Sequence, residues 1–168
     1  IEGSVAVSVS ELDAAFRMPQ IIAELRREEP GIELEVIVTN DTSDLKRREA
    51  DIAVRNYRPQ QHDLITKKLG EEVIWLYGTK EYLTELSSLS NISDPVEVVR
   101  LSKSAEIQII GFDQSNAVSE LLNKKGWQLS KQNFKLITSS QILQLGLCKE
   151  GLGLIFLPED LGDNATNL

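Results

Sequence analysis

The sequence is poor in the residues on which metal and nucleophile chemistry depend. It holds one cysteine, Cys148, and one histidine, His62, in 168 residues. A single cysteine cannot close a disulfide within the chain, and one Cys with one His cannot build a zinc site. No Gly-Lys-Ser/Thr phosphate loop is present. No serine or cysteine sits in a nucleophile elbow, and His62 lies in a polar loop beside Gln60, Gln61 and Asp63, where a solvated role is expected. No apolar run reaches the length needed to cross a bilayer, and no charged start followed by an apolar run and a cleavage site reads as a signal peptide. Positive charge is scarce as well: 18 Lys and Arg face 26 Asp and Glu, a formal net charge of −8. Duplex DNA is gripped mainly by cations that neutralise phosphates, so this chain is not expected to hold DNA by itself. An anionic membrane surface is disfavoured for the same reason.

What is there describes a globular α/β protein. Hydrophobic residues make up 41% and charged residues 26%, an ordinary mixture that excludes global disorder. A chain of this length fits one domain or two small lobes, and can bury about 70% of its unfolded surface without staples.

Val5, Val7 and Val9 alternate with small residues and predict a strand over 4–10. Residues 11–29 show helical spacing, with Pro19 either kinking the helix or marking where the regular helix begins. Pro30-Gly31 ends it. Residues 32–39 are rich in β-branched side chains and predict a second strand; 43–50 a short helix; 51–54 a third strand ending at Arg55. That alternation predicts a parallel sheet. Residues 64–79 read as one long extended stretch, as of a chain passing from one lobe to another. Helices are expected over 80–86 and 95–102. The second half repeats the pattern: strand 107–111, helix 116–125 with Val118, Leu121 and Leu122 inward, strand 133–138, helix 141–149 with Ile142, Leu145 and Leu147 apolar, and a last strand 154–157 closed by Pro158. Gly151 and Gly153 close a helix and open a strand, so they make a tight turn and no nucleotide fingerprint. Trp75 and Trp127 are expected to pack, as is Cys148.

Ligands of open parallel α/β sheets bind beyond the carboxyl ends of the strands. Here that rule selects four corners: Ser10 and Glu11; residues 39–42; residues 111–116; and residues 139–141. Arg55 joins the first two. The same Ser, Thr and Asn residues would serve equally as helix caps. Asp41 and Asp44 suit the start of the short helix, and Lys46-Arg47-Arg48 a solvated face.

Several segments carry a family pattern: a strand ending Val9-Ser10, Met18-Pro19-Gln20-Ile21-Ile22, Glu29-Pro30-Gly31-Ile32-Glu33-Leu34, Asp44-Leu45 and Ala50-Asp51-Ile52-Ala53-Val54-Arg55. Leu69-Gly70-Glu71, Tyr82-Leu83, Gly151-Leu152-Gly153 and Leu157-Pro158 continue it. In order and spacing, over nearly the whole chain, they resemble the effector-binding domain of LysR-type transcriptional regulators. The resemblance implies two Rossmann-like lobes joined by two crossover strands, a fold like periplasmic binding proteins of type II. Lobe one would hold residues 1–73 plus a returning segment 157–168, and lobe two residues 74–156.

It further implies a small-molecule co-inducer in the cleft, touching Ser10, Glu11, Thr39, Asn40, Arg55, Asn56, Phe112, Ser139 and Ser140. Arg55 suits a carboxylate, while Glu11, Asp41 and Asp113 suit an amine, so a carboxylate or an amino acid is expected. No cofactor, metal or catalytic activity is implied. A homodimer or homotetramer is, with the helix bearing Ile21, Ile22 and Leu25 at the contact or packed within its own lobe. DNA would be met only through an N-terminal helix-turn-helix that this sequence does not contain, and the family's further C-terminal strand and helix do not appear either. The expected location is the cytoplasm. The rival readings are a periplasmic-type solute-binding protein and a small-molecule enzyme on the same fold.

Overall fold

The structure is a computed structural model that describes residues 2–40, 50–58 and 64–168. The chain divides into two compact units, Ile1–Glu71 and Glu72–Leu168. The expected helix over 43–50, the acids Asp41 and Asp44, the basic run at 46–48 and His62 all lie outside the described residues apart from Ala50.

Unit one is built on a three-stranded parallel sheet. Strand β1 (Gly3–Val9) lies between β2 (Ile32–Val38) and β3 (Ile52–Ala53). Gly3 pairs with Ile32 and Val9 with Val38, while Val7 and Ser8 pair with Ile52 and Ala53. Parallel pairing in this register brings the carboxyl ends of all three strands to one edge. The helical stretch is two helices, α1 (Glu11–Phe16) and α2 (Met18–Glu28). The break falls at Arg17, and Pro19 sits in the first turn of α2, where its absent N–H costs no helical bond. Of the two roles open to Pro19, it therefore takes the second. Val9, Leu12 and Met18 are buried beneath this pair, while Ile21 is 54% exposed on α2.

An irregular stretch, 64–73, precedes the first strand of unit two. The long extended segment expected over 64–79 thus shortens to strand β4 (Ile74–Tyr77), paired antiparallel with β5 (Ile155–Pro158). Helices α3 (Lys80–Leu89), α4 (Pro95–Leu101), α5 (Ala117–Lys124) and α6 (Gln141–Lys149) follow their periodicity closely. Their core is Leu86, Ile107, Ile109, Leu122, Leu129 and Leu154, with Tyr82, Trp127 and Phe134 packed against it. Leu121 is a correction to the expected inward face of α5, being 56% exposed, and Leu122 fills the buried position there; on α6 Leu145 and Cys148 are buried. Trp75 does not pack as expected either. It is exposed, and its indole N–H donates to Glu159 Oε1 at 3.1 Å.

The strands expected over 107–111 and 133–138 are not continuous. They meet neighbours through isolated parallel bridges, Ile109 with Leu154 and Gly111 with Ile137. The reason is Asn133, which is fully buried. Its Oδ1 accepts from Ser130 N–H at 2.9 Å, and its Nδ2 donates to the carbonyls of Ser104 at 2.8 Å, Ile107 at 2.9 Å and Ser102 at 3.3 Å. Meeting those partners winds residues Lys131–Asn133 into a 3₁₀ turn instead of a strand. Gly153 has φ +151°, and a Cβ there would lie 2.9 Å from Gln108 O, so the Gly-Leu-Gly turn fits closely against this segment.

Residues 157–168 fall within the second compact unit. Leu157 and Pro158 pair with β4, and helix α7 (Glu159–Asp163) folds back over it. Tyr77 hydroxyl donates to Asp163 Oδ1 at 2.7 Å, and Gly162 sits so close to the ring that a Cβ would come within 2.2 Å of it.

Two outcomes test this packing. Asn133→Ala is expected to cost unit two about 3 kcal/mol or more, because it leaves a buried N–H and buried carbonyls unmatched; Gln132→Ala, at an exposed neighbour, is expected to stay within about 0.5 kcal/mol by urea unfolding. Equal effects of the two would contradict the role given to Asn133. The hydrogen bond to the Asp163 carboxylate, aided by desolvation, raises Tyr77 from 10.0 to about 12. The stabilisation from this contact is therefore complete below the unfolded phenol's value and lost as pH rises through about 12. In a tyrosinate absorbance titration, Asp163→Asn is expected to return one tyrosine toward its ordinary value.

Candidate functional site

The polar edge of unit one starts at Ser10. It leaves β1 in extended geometry and caps α1: its hydroxyl accepts from Asp13 N–H at 3.2 Å and donates to Asp13 Oδ2 at 2.8 Å. Asp13 in turn holds Arg17 at 2.8 Å. Glu11 and Asn40 meet across the edge. Glu11 N–H donates to Asn40 Oδ1 at 3.1 Å, and Asn40 Nδ2 donates to Glu11 Oε2 at 3.3 Å. Thr39 is drawn to the same edge, its N–H donating to Val9 O at 2.9 Å.

Arg55 follows β3 directly. Its Nη1 donates to Ser8 O at 3.0 Å and Val54 O at 2.8 Å, and its Nη2 donates to Ser8 Oγ at 2.7 Å. Asn56, the next residue, is exposed. The edge is thus a set of strand ends tied by side-chain bonds, with one guanidinium crossing from β3 to β1.

Unit two has its own corner. Gly111 N–H donates to Leu136 O at 2.9 Å, and Thr138 N–H returns to Gly111 O at 2.9 Å, which places Phe112 next to the start of α6. Ser140 caps α6: its hydroxyl accepts from Leu143 N–H at 3.2 Å. Ser139 is exposed, and Phe112 is half-buried. Gln144 Nε2 donates to Ile110 O at 3.0 Å and ties the helix to the corner.

The structure thus brings Ser10, Glu11, Thr39, Asn40 and Arg55 together at one edge of unit one, and Phe112, Ser139 and Ser140 together in unit two. Sequence reasoning missed Ser8 and Gln144. Ser8 carried a usable signal, as a serine in the buried final stretch of a valine-rich strand; Gln144 carried none.

Two surface grooves in unit one lie elsewhere. One runs between α2 and β2 along Ile22, Arg26, Ile32 and Leu34; the other crosses Ser4, Ala6, Glu35 and Asp51. Neither includes an expected site residue. Among the described residues, no group of three or more His, Cys, Asp or Glu could hold a metal ion, and no helix is long and apolar enough to cross a membrane. Cys148 is fully buried, and desolvation pushes its thiol up to about 11, so it remains a packed thiol at neutral pH.

The chain belongs to the LysR substrate binding domain family, whose model matches residues 1–167. It is an effector-binding domain of the kind that LysR-type regulators carry, and the fold is the periplasmic-binding-protein type II plan. The regulatory domain of CrgA, a LysR-type regulator from Neisseria meningitidis, is similar at 21% identity and TM-score 0.75, covering 98% of this chain and 76% of that one. The longer CrgA structure gives 21% identity and TM-score 0.76, with 97% of this chain covering 53% of that chain, so this sequence spans about half of it. The CcmR regulatory domain from Synechocystis PCC6803, in complex with 2-PG, gives 16% identity and TM-score 0.73 over 99% of this chain and 78% of that one. No curated protein sequence matches the chain. The solute-binding reading is not favoured, since the family and these similar structures are regulators.

Proposed function

We propose that the domain binds a small-molecule effector at Ser10, Glu11, Thr39, Asn40, Arg55 and Asn56 of unit one and at Phe112, Ser139 and Ser140 of unit two. Binding alters how a cytoplasmic LysR-type regulator holds DNA, and no substrate is turned over. The observation that supports this most directly is the gathering of polar side chains at the carboxyl ends of parallel β1, β2 and β3, where such sheets receive ligands. The effector is a carboxylate or an amino acid, of a size that hydrogen-bonding corners can hold.

An effector shifts a conformational balance only by its differential affinity for the two states. The shift passes to the DNA-binding part of the whole protein through a homodimer or homotetramer. The helix α2 is the surface suited to such a contact, with Ile21 exposed along it. The acidic net charge agrees with leaving DNA to another part of the protein.

Native mass spectrometry of the chain with a panel of polar metabolites tests this reading. The expected result is one small molecule retained per chain. Ser10→Trp and Thr39→Trp are each expected to weaken that retention at least about tenfold, roughly 1.4 kcal/mol, with the far-UV spectrum unchanged. Parent-like affinity in both variants would contradict the residue assignment, and uptake of nothing across the panel would contradict the effector reading.

A further inference from the structure

The two units close their backbones with bonds of the same length but bury very different cores. In unit one, Thr39 N–H reaches Val9 O, Asp51 N–H reaches Ala6 O and Val54 N–H reaches Ser8 O, each at 2.9 Å. In unit two, Ile110 N–H reaches Leu154 O at 2.9 Å and Leu154 N–H reaches Gln108 O at 2.8 Å. Such bonds replace bonds to water and contribute little net, so buried apolar surface must do most of the holding.

That surface is unevenly shared. Among the described residues, the buried apolar side chains of unit one are Val9, Leu12 and Met18, whereas unit two buries eleven. Val9 and Leu12 lie where β1 turns into α1. Farther back along the sheet, Val5, Val7, Leu34 and Val36 of the strands and Ile22 and Leu25 of α2 are only half-buried. The groove lined by Ile22, Leu34 and Val36 enters this seam between α2 and β2. Phe16, Ile21, Val38 and Ile52 are each half-exposed or more and add little to the holding.

We infer that unit one opens and closes as a unit while unit two stays folded. Proteins open in cooperative pieces, and the pieces with few buried apolar contacts open at the lowest cost. The polar edge that unit one carries is an alignment of three strand ends, so it exists only while the unit is closed. Any ligand seated on that edge binds with an apparent affinity lowered by the closed fraction, and by binding raises that fraction. The domain thus carries a conditional half on a persistent one.

The unaltered chain offers two separate readouts. Both tryptophans, Trp75 and Trp127, lie in unit two, so their emission reads that unit, while far-UV ellipticity reads both. In urea, ellipticity is expected to fall in a first step that leaves the emission unchanged, and emission to move only in a second. Single-amide hydrogen exchange under native conditions is expected to show at least about tenfold less protection at Thr39, Asp51 and Val54 than at Ile110 and Leu154. Val9→Ala is expected to move the first urea step to lower concentration with the emission midpoint unmoved. Coincident ellipticity and emission transitions in the unaltered chain overturn the inference, because a single transition means that the units open together. So does equal protection of the two sets of amides, or a Val9→Ala chain whose emission midpoint shifts as far as its ellipticity.

Discussion

Ser8 is the residue through which unit one is tied. Its carbonyl takes the N–H of Val54 at 2.9 Å and Nη1 of Arg55 at 3.0 Å, and its hydroxyl takes Nη2 at 2.7 Å. It is almost wholly buried, so these bonds form where water cannot replace them. One residue further, Val9 O receives Thr39 N–H, and one beyond that Ser10 turns the chain into α1. Three strand ends are therefore positioned within the last two residues of β1 and the cap that follows them. The polar edge follows from that alignment: Asn40 reaches Glu11 because Thr39 is already fixed, and Arg55 reaches Ser8 because Val54 is.

Unit two reaches the same kind of result by a different device. No long strand organises the segments around residues 102–111 and 130–138. One buried amide does, joining Ser130 to three carbonyls of the preceding segment. Tyr82 reinforces the segment from the other side, its hydroxyl donating to Glu106 O and accepting from Gln108 N–H. Burial pushes that phenol up from its ordinary value, so it remains a neutral donor under any physiological condition. The corner at Gly111, Phe112 and Ser140 rests on this framework, which is why polar side chains can stand there without strand pairing on both sides.

Much of this was legible in the sequence. Alternating valines gave β1, the β-branched run gave β2, and the strand–helix–strand order gave the parallel sheet. Where the sequence misled, a tertiary contact had overridden local pattern. Residues 133–138 look like a strand, yet Asn133 must face inward to meet four backbone groups, and that winds the turn. Trp75 looks like core, yet its N–H finds Glu159 in a helix 84 residues away. Leu121 looks inward by spacing, but a helix of eight residues has room for few buried positions and Leu122 takes one. The expected site residues were picked by their place at strand ends, and that rule needs no side-chain contact to work. Their mutual bonds, and the role of Ser8 beneath Arg55, depend on strand register, which a single sequence does not encode in any short motif.

The central claim is that the strand ends of unit one receive the effector. Amide hydrogen exchange, followed with and without the metabolite that the chain retains, tests it most directly. The expected result is slowed exchange at Asp13, Thr39 and Val54, the amides whose bonds close that edge. Protection confined to the groove between α2 and β2, around Ile22, Arg26 and Leu34, with the edge unchanged, would contradict the account.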